Sequence, residues 1–207
     1  MDESTNIALK EEFQESSPTP EKRHSLKTEA WETIRFIFIA LIIVIPIRLF
    51  VAQPFIVSGA SMDPTFKSGQ YLIVDEISYR LNDPMRGDVA IFKYPENPKQ
   101  FFIKRVIGLP GDTITIGNNG AVSIKDTAGN MFLLDEPYIV FKKNDAISRT
   151  VGADEYFMMG DNRAGSFDSR MWGPVKKELL IGRALIRLFP FSTMSVLPGE
   201  SRHEGGQ

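Results

Sequence analysis

The stretch Phe101-Phe102-Ile103-Lys104-Arg105-Val106-Ile107-Gly108-Leu109-Pro110-Gly111-Asp112 combines the two signals that decide the fold. Residues 101–107 form a short apolar run, and residues 109–112 contain the Pro-Gly pair that is typical of a turn. Successive side chains of a strand point to opposite faces, so Lys104 shares a face with Phe102 and Val106, while Arg105 points the other way. The stretch therefore predicts a strand that ends in a turn and carries a lysine on an apolar face.

The same alternation of a short apolar run and a turn continues through most of the chain. The other runs are residues 71–74, 88–92, 113–116, 121–124, 156–159 and 185–188. Turn signals separate them, and Asn118-Asn119-Gly120 predicts a β-hairpin. Helical periodicity beyond residue 55 is limited to a turn or two at 176–181. We therefore predict a mainly β domain, a partly closed antiparallel sheet, over residues 56–197.

The composition changes abruptly before this domain. Residues 1–33 are largely polar and predict a mobile leader, whereas residues 34–55 are almost wholly apolar. As a helix rising about 1.5 Å per residue, residues 34–55 extend roughly 33 Å, which matches a bilayer if Arg35 and Arg48 reach opposite interfaces. We predict one transmembrane anchor here. A buried core helix and a cleaved signal peptide are the alternatives.

The distribution of basic residues predicts the orientation of this anchor. Lys22, Arg23 and Lys27 precede the span, while the first basic residue after Arg48 is Lys67. The positive-inside rule then places the N-terminus in the cytoplasm and the β domain on the outer side of the plasma membrane. Residues 198–207, which are rich in glycine and charge, predict a flexible tail.

The composition also excludes several kinds of chemistry. The 207 residues include no cysteine, so disulfides, thiolate nucleophiles and cysteine metal sites are excluded. His24 and His203 both lie in terminal segments, which removes a Ser-His triad and a histidine metal site from the domain. The net charge of −2 does not suit a nucleic-acid partner. We predict no metal and no cofactor, and acid–base chemistry that relies on Asp, Glu, Lys or Tyr.

Ser61 is the candidate nucleophile. It lies in the small-residue bend Ser58-Gly59-Ala60-Ser61-Met62-Asp63-Pro64-Thr65, directly after an apolar run. A serine hydroxyl needs a base to take its proton, and Lys104 is the candidate because burial lowers the pKa of a lysine from its usual value of about 10.4. Taken singly, the two read as a turn serine and as a strand lysine that reaches solvent. Their combination favours catalysis.

These residues occur in blocks that resemble type I signal peptidases, the membrane-anchored Ser-Lys proteases that cut signal peptides from exported proteins. The resemblance covers residues 34–189 and depends on four blocks, namely residues 58–65, 87–92, 104–112 and 160–173. It implies that Ser61 is the nucleophile, that Lys104 is the general base and that Ser166 orients the lysine. It also assigns a structural role near the site to four charged residues, Asp161, Arg163, Asp168 and Arg170.

One position departs from the pattern. Some relatives place a serine two residues before the nucleophile, where its hydroxyl helps to bind the oxyanion, but this chain has Gly59 there. The backbone N–H of Ser61 is therefore the oxyanion donor that we predict, and the second donor stays unassigned. Losing one such donor costs on the order of 3 kcal/mol in the transition state.

The resemblance implies that the substrates are preproteins with small residues at −1 and −3, often Ala-x-Ala. Such a segment would add as a strand between residues 56–58 and 101–103, and we predict the pocket walls to be Val57, Met62, Phe102 and Ile103. The expected partners are these preproteins and the lipid bilayer. Three other readings stay open: a specialised relative that matures one cargo such as a pilin, a self-cleaving repressor with the same dyad, and a non-catalytic tethered β domain.

Overall fold

The computed structural model describes residues 26–46 and 52–201. The first segment is a single helix, α1 (Leu26–Pro46). It begins eight residues before the predicted anchor, because helix formers such as Glu29, Ala30 and Glu32 allow the apolar helix to extend backward into the predicted leader. Residues 1–25 of that leader, residues 47–51 of the predicted anchor and residues 202–207 of the predicted tail lie outside the described residues.

The large apolar side chains of α1 between residues 36 and 45 are exposed. No helix within residues 26–46 and 52–201 is long and apolar enough to cross a membrane.

The second segment consists mainly of short antiparallel strands. They are β1 (Ala52–Ile56), β2 (Tyr71–Asp75), β3 (Val89–Tyr94), β4 (Asn97–Gly108), β5 (Thr113–Ile116), β6 (Val122–Lys125), β7 (Met131–Leu133), β8 (Ile147–Thr150), β9 (Glu155–Met159), β10 (Val175–Lys176), β11 (Leu180–Phe189) and β12 (Ser195–Val196). Two short helices, α2 (Ile77–Leu81) and α3 (Ser169–Trp172), and two 3₁₀ turns, Lys177–Leu179 and Phe191–Thr193, complete the segment. The prediction of a mainly β, antiparallel domain is confirmed.

The strands form two sheets. The large one has the order β1-β2-β11-β3-β4-β9-β10, with β12 beside β11, and the small one has the order β7-β6-β5-β8. The hairpin predicted around Asn119-Gly120 connects β5 to β6, where Ile116 pairs with Val122. Every pair among the described strands is antiparallel.

The start of β1 corrects the predicted end of the anchor. Residues 52–55, which we predicted to be membrane helix, belong to β1 and pair with β2. The apolar composition of this stretch fits a helix and a buried strand equally well, and Pro54 favours the strand, because proline interrupts a helix but is tolerated on the edge of a sheet.

Strand β3 is buried on both faces and separates two parts of the core. Val89 and Ile91 pack with Val57, Met62 and the other residues below the candidate nucleophile. The alternate residues of β3, Ala90 and Phe92, pack with the aromatic and apolar side chains of β4, β9 and β10. A third apolar cluster joins the small sheet to the ends of β4 and β9. The second half of β4 therefore lies in the middle of the domain, where its side chains from Lys104 onward are shielded from water.

Candidate active site

Ser61 lies on the loop of residues 57–70 that connects β1 to β2, which we call the nucleophile loop. The loop is closed at its base by hydrogen bonds from Val57 N to Gln70 O and from Gly69 N to Val57 O, both 2.9 Å. Met62 and Phe66 are buried below it and anchor it to the core. Met62 is therefore a core residue, contrary to the prediction that it forms a pocket wall, because the side chain that follows Ser61 turns inward.

Lys104 lies on β4 opposite this loop. Its side chain is buried, with 4% of the residue exposed. Its Nζ lies 2.6 Å from Ser61 Oγ and 3.1 Å from the carbonyl oxygen of Ile103. The structure thus brings together the two residues that sequence reasoning selected, although 43 positions separate them.

The pKa of Lys104 is lowered from its usual 10.5 to about 8. The largest cause is burial, which disfavours the charged ammonium, and Arg170 acts in the same direction. Asp168 and Asp161 oppose this shift because their negative charges favour the ammonium. At pH 7 about one lysine in ten is then unprotonated, against roughly three in ten thousand at the usual pKa.

Arg105, the residue after the lysine, joins β4 to the nucleophile loop. Its buried guanidinium forms a bidentate pair with Asp161, with Nε 2.8 Å from Oδ1 and Nη2 2.6 Å from Oδ2. Thr65 of the nucleophile loop donates its hydroxyl to the same carboxylate. Sequence reasoning placed Arg105 only on the opposite face from Lys104, because a charged residue in a strand usually reads as exposed. Ile103 and Ile107, the apolar residues on the same face as Arg105, were the available signal that this face is also buried.

The beginning of the predicted tail also contacts Arg105. Its Nη1 donates to the carbonyl oxygens of Gly87 and Gly199 and to Ser201 Oγ. Residues 198–201 are therefore ordered against the domain, which corrects the prediction of a flexible tail from residue 198 onward. A buried guanidinium has five donors to satisfy, and this segment supplies acceptors for one end of it.

The loop of residues 160–170 holds the other charged residues that we predicted to be structural. Asp168 accepts from the Gly160 N–H at 3.0 Å and from Arg170 at 2.8 and 2.9 Å. Arg163 forms an ion pair with Glu136, and Arg170 contacts Asp145. Burial by itself favours a neutral Asp168, but the bonds from Arg170 and Gly160 outweigh it, so the pKa of Asp168 lies below its usual value.

Ser166 lies beside the dyad. Its Oγ is buried and makes no well-formed hydrogen bond within the described residues, but it lies close enough to the Asp168 carboxylate to help lower the pKa of that group. A Cβ added to Gly160 would lie only 2.3 Å from this oxygen and 2.3 Å from the carbonyl oxygen of Ser61. Gly160 therefore allows Ser166 and the backbone of Ser61 to approach each other closely. That Ser166 orients Lys104 stays a prediction.

Sequence reasoning assigned no role to Asn162, but the structure places it against the nucleophile. Its backbone N–H donates to Ser61 O, and its Nδ2 donates to Ala60 O, both at 3.0 Å. The Ser61 N–H, the predicted oxyanion donor, has no hydrogen-bond partner among the described residues. The position of Asn162 in the fourth sequence block was the only signal available without coordinates.

A cleft of about 300 Å³ opens in front of the dyad. It is lined by Phe55–Ser61 of β1 and the nucleophile loop, by Phe101–Lys104 of β4, and by Leu72, Ile91, Gly165 and Phe167. The predicted wall residues Val57, Phe102 and Ile103 are among them, and Met62 is not. The rings of Phe55 and Phe101 lie 5.5 Å apart, although three strands separate β1 from β4 in the sheet order. Side chains of β1 and β4 therefore meet at the cleft.

Comparisons with known proteins agree on one family. Residues 30–189 match the family described as signal peptidase, peptidase S26. The protein named "Probable signal peptidase I-2" of Synechocystis sp. is 37% identical over 90% of this chain and 86% of its own length. Signal peptidase I of Leptolyngbya laminosa is 37% identical over 80% of this chain and 83% of its own. Signal peptidase I of Bacillus caldolyticus is 36% identical over 74% of this chain and 88% of its own.

Proposed function

The chain belongs to the signal peptidase family, peptidase S26, and on that basis we propose that it cuts preproteins with Ser61 as nucleophile and Lys104 as general base. As a member of this family it is a serine endopeptidase that removes signal peptides. The observation that carries the assignment of the dyad is the 2.6 Å contact between Lys104 Nζ and Ser61 Oγ in a buried site.

The reaction begins with the unprotonated form of Lys104. The Ser61 hydroxyl donates its proton to Nζ as Oγ attacks the scissile carbonyl carbon, and the carbonyl oxygen becomes an oxyanion. The Ser61 N–H is the donor to that oxygen. The ammonium of Lys104 then returns the proton to the leaving amine, which leaves an ester on Ser61. A water molecule releases the signal peptide by the same sequence, with Lys104 again as the base.

The cleft supports binding of the substrate as an added strand. Strand β1 is the terminal strand of the large sheet, and β9 pairs with β4 only from Arg105 onward. Residues 56–58 and 101–103 therefore offer backbone groups from both sides to an extended peptide. In such a peptide the −1 and −3 side chains point to the same face, because strand side chains alternate. The apolar walls formed by Val57, Phe102 and Ile103 would enclose both of these side chains and select small ones.

We further propose that the apolar part of α1 holds the enzyme at the plasma membrane, with the N-terminus in the cytoplasm and the β domain outside. The exposed apolar side chains between residues 36 and 45 support this placement, because they need an apolar environment. The basic residues Lys22, Arg23 and Lys27, which precede this part of the chain, support the orientation. In intact cells, protease added outside should digest the β domain, whereas a fully protected β domain would reverse the orientation.

The function is tested by cleavage of a purified precursor with an Ala-x-Ala site. The wild-type protein should cut after the second alanine and should fail when leucine replaces the −1 or the −3 residue. Ser61→Ala should abolish cleavage, while Ser148→Ala, a matched change of an exposed strand serine, should leave it unchanged. Cleavage by Ser61→Ala at the wild-type rate would overturn the assignment of the nucleophile.

A further inference from the structure

Asn162 holds the peptide unit that carries the oxyanion donor. Its Nδ2 donates to the carbonyl oxygen of Ala60, at 3.0 Å, and its backbone N–H donates to the carbonyl oxygen of Ser61. Its Oδ1 accepts from the Gly165 N–H at 2.9 Å, which fixes the direction of the amide. The side chain and the backbone of Asn162 therefore tie the 160–170 loop to the nucleophile loop at two successive carbonyl oxygens, those of Ala60 and Ser61.

The planarity of the peptide bond between Ala60 and Ser61 links the position of Ala60 O to the direction of the Ser61 N–H. In a trans peptide the C=O of one residue and the N–H of the next lie in one rigid plane and point in opposite directions. The bond between Ala60 and Ser61 is trans, because the cis bonds of the described segment are those before Pro64 and Pro190. Holding Ala60 O in place therefore fixes the direction of the Ser61 N–H. The Asp63 N–H, 3.2 Å from Ala60 O, supports the same orientation more weakly.

We propose that Asn162 is a positioning residue that aims the Ser61 N–H at the oxyanion. This inference rests on the proposed function, since it assigns the N–H to the reaction of Ser61. The nucleophile loop needs such a support because Gly59 precedes Ala60 in an open left-handed conformation, with φ of +89° and no atom within 4 Å of an added Cβ. Gly59 has no side chain and Ala60 is exposed, so neither residue packs against the core in a way that would fix the peptide plane.

The amide is suited to this role because it donates and accepts at once. Aspartate at position 162 would still accept from Gly165, but its second oxygen would face the carbonyl oxygen of Ala60 and repel it. Alanine would remove the two side-chain hydrogen bonds, to Ala60 O and from the Gly165 N–H, and would leave the peptide plane between Ala60 and Ser61 freer to rotate. Since Asn162 is partly exposed, water can satisfy the groups that either change leaves unpaired, and the fold should keep its stability.

The test separates transition-state stabilisation from substrate binding. Asn162→Ala should lower kcat by about ten- to a hundredfold with KM within twofold, because a misaimed donor weakens only the interaction with the oxyanion. Asn162→Asp should be at least as slow. In Asn162→Ala the pH dependence of kcat/KM should keep its wild-type midpoint, since this change adds no charge near Lys104. Asn119→Ala, which removes a similar side-chain bond to a turn N–H in a distant hairpin, is the matched control and should keep wild-type kcat.

A second readout uses two ligands with an Ala-x-Ala sequence. A peptide aldehyde bonds its carbonyl carbon to Ser61 Oγ, the hydroxyl proton passes to Lys104, and the aldehyde oxygen takes the oxyanion position. Its affinity should fall in Asn162→Ala by the same factor as kcat, while the affinity of an uncleavable peptide with proline at +1 should stay within twofold.

Three outcomes would overturn the inference: an unchanged kcat in Asn162→Ala, an equal loss of affinity for both ligands, or a shifted pH midpoint. If the wild-type protein itself fails to cut the precursor, the proposed function fails and this inference with it. Normal cutting by the wild type alongside an unaffected Asn162→Ala overturns only the inference.

Discussion

Replacing Gly160 by alanine should lower the catalytic rate while the protein remains folded. Gly160 directly follows β9, and an alanine Cβ there would lie 2.3 Å from Ser166 Oγ, 2.3 Å from Ser61 O and 2.6 Å from Ser166 Cβ. Ordinary contacts begin near 3.4 Å, so both Ser61 O and Ser166 Oγ must move away from the new Cβ by about 1 Å. Neither the backbone of Gly160 nor that of Ser61 can yield freely, because Asp168 binds the first and Asn162 binds the second, both at 3.0 Å.

A displacement of this size translates into a measurable rate. A misplacement of about 1 Å in a catalytic group costs on the order of a hundredfold, which corresponds to about 2.7 kcal/mol of transition-state stabilisation. We expect kcat/KM of Gly160→Ala, measured by precursor cleavage, to fall by roughly that factor. Gly129→Ala is the control, since Gly129 has φ of +87° and open space around an added Cβ, so that it adds backbone strain far from the dyad.

The thermal unfolding midpoint of each variant shows whether a lower rate comes from a changed active site or from unfolding. Gly160→Ala should remain folded at the assay temperature, and Gly129→Ala should lose some stability but keep wild-type kcat/KM. A folded Gly160→Ala variant that cuts within threefold of the wild type would refute the claim that close approach at Gly160 sets the position of Ser61.

Two further predictions concern Lys104 and Arg105. Because burial lowers the pKa of Lys104 to about 8, kcat/KM should rise with pH through an apparent pKa near 8, and a rise centred near the usual 10.5 would contradict the role of burial. Asp161→Asn leaves the buried Arg105 guanidinium uncompensated and should lower the free energy of unfolding by about 3–5 kcal/mol, measured by urea denaturation, whereas Lys177→Ala, which breaks an exposed ion pair with Asp83, should cost less than about 1 kcal/mol.

The sequence predicts β4 and its dyad residue well because the signals are local. Alternation along residues 101–107 places Lys104 beside Phe102 and Val106. In the structure Lys104 Nζ lies 5.3 Å from the centroid of the Phe102 ring. The selection of Ser61 and Lys104 required only a small-residue bend, the absence of histidine from the domain, and a lysine on an apolar strand face. The bend and the strand face can be read from neighbours in the chain, and the absence of histidine from the composition.

The features that the sequence did not predict depend on contacts between distant residues. The burial of Arg105 follows from its pairing with Asp161, 56 positions away, and the order of residues 198–201 follows from their contact with the same guanidinium. Strand β8 was missed because residues 147–150 are mostly polar. Their pairing with β5, including a 3.1 Å contact between the hydroxyls of Thr113 and Thr150, makes them a strand.

Met62 shows a different limit of sequence reasoning. An apolar residue beside a nucleophile suits a pocket wall and a core position equally well, and the composition of the bend does not distinguish them. The turn of the nucleophile loop decides the matter, because it directs Met62 into the cluster with Val57 and Phe66 while Ser61 faces the cleft.

The most direct test of the dyad is the kcat/KM of Lys104→Met for a precursor with an Ala-x-Ala site. Methionine fills most of the buried volume of the lysine but has no amine, so the site keeps its packing and loses its base. With the variant shown to be folded by its thermal midpoint, we predict a loss of about 10²–10⁴ at pH 10 and a rate that no longer rises through an apparent pKa near 8. A folded Lys104→Met protein that cuts within tenfold of the wild type, with the same dependence on pH, would contradict the account.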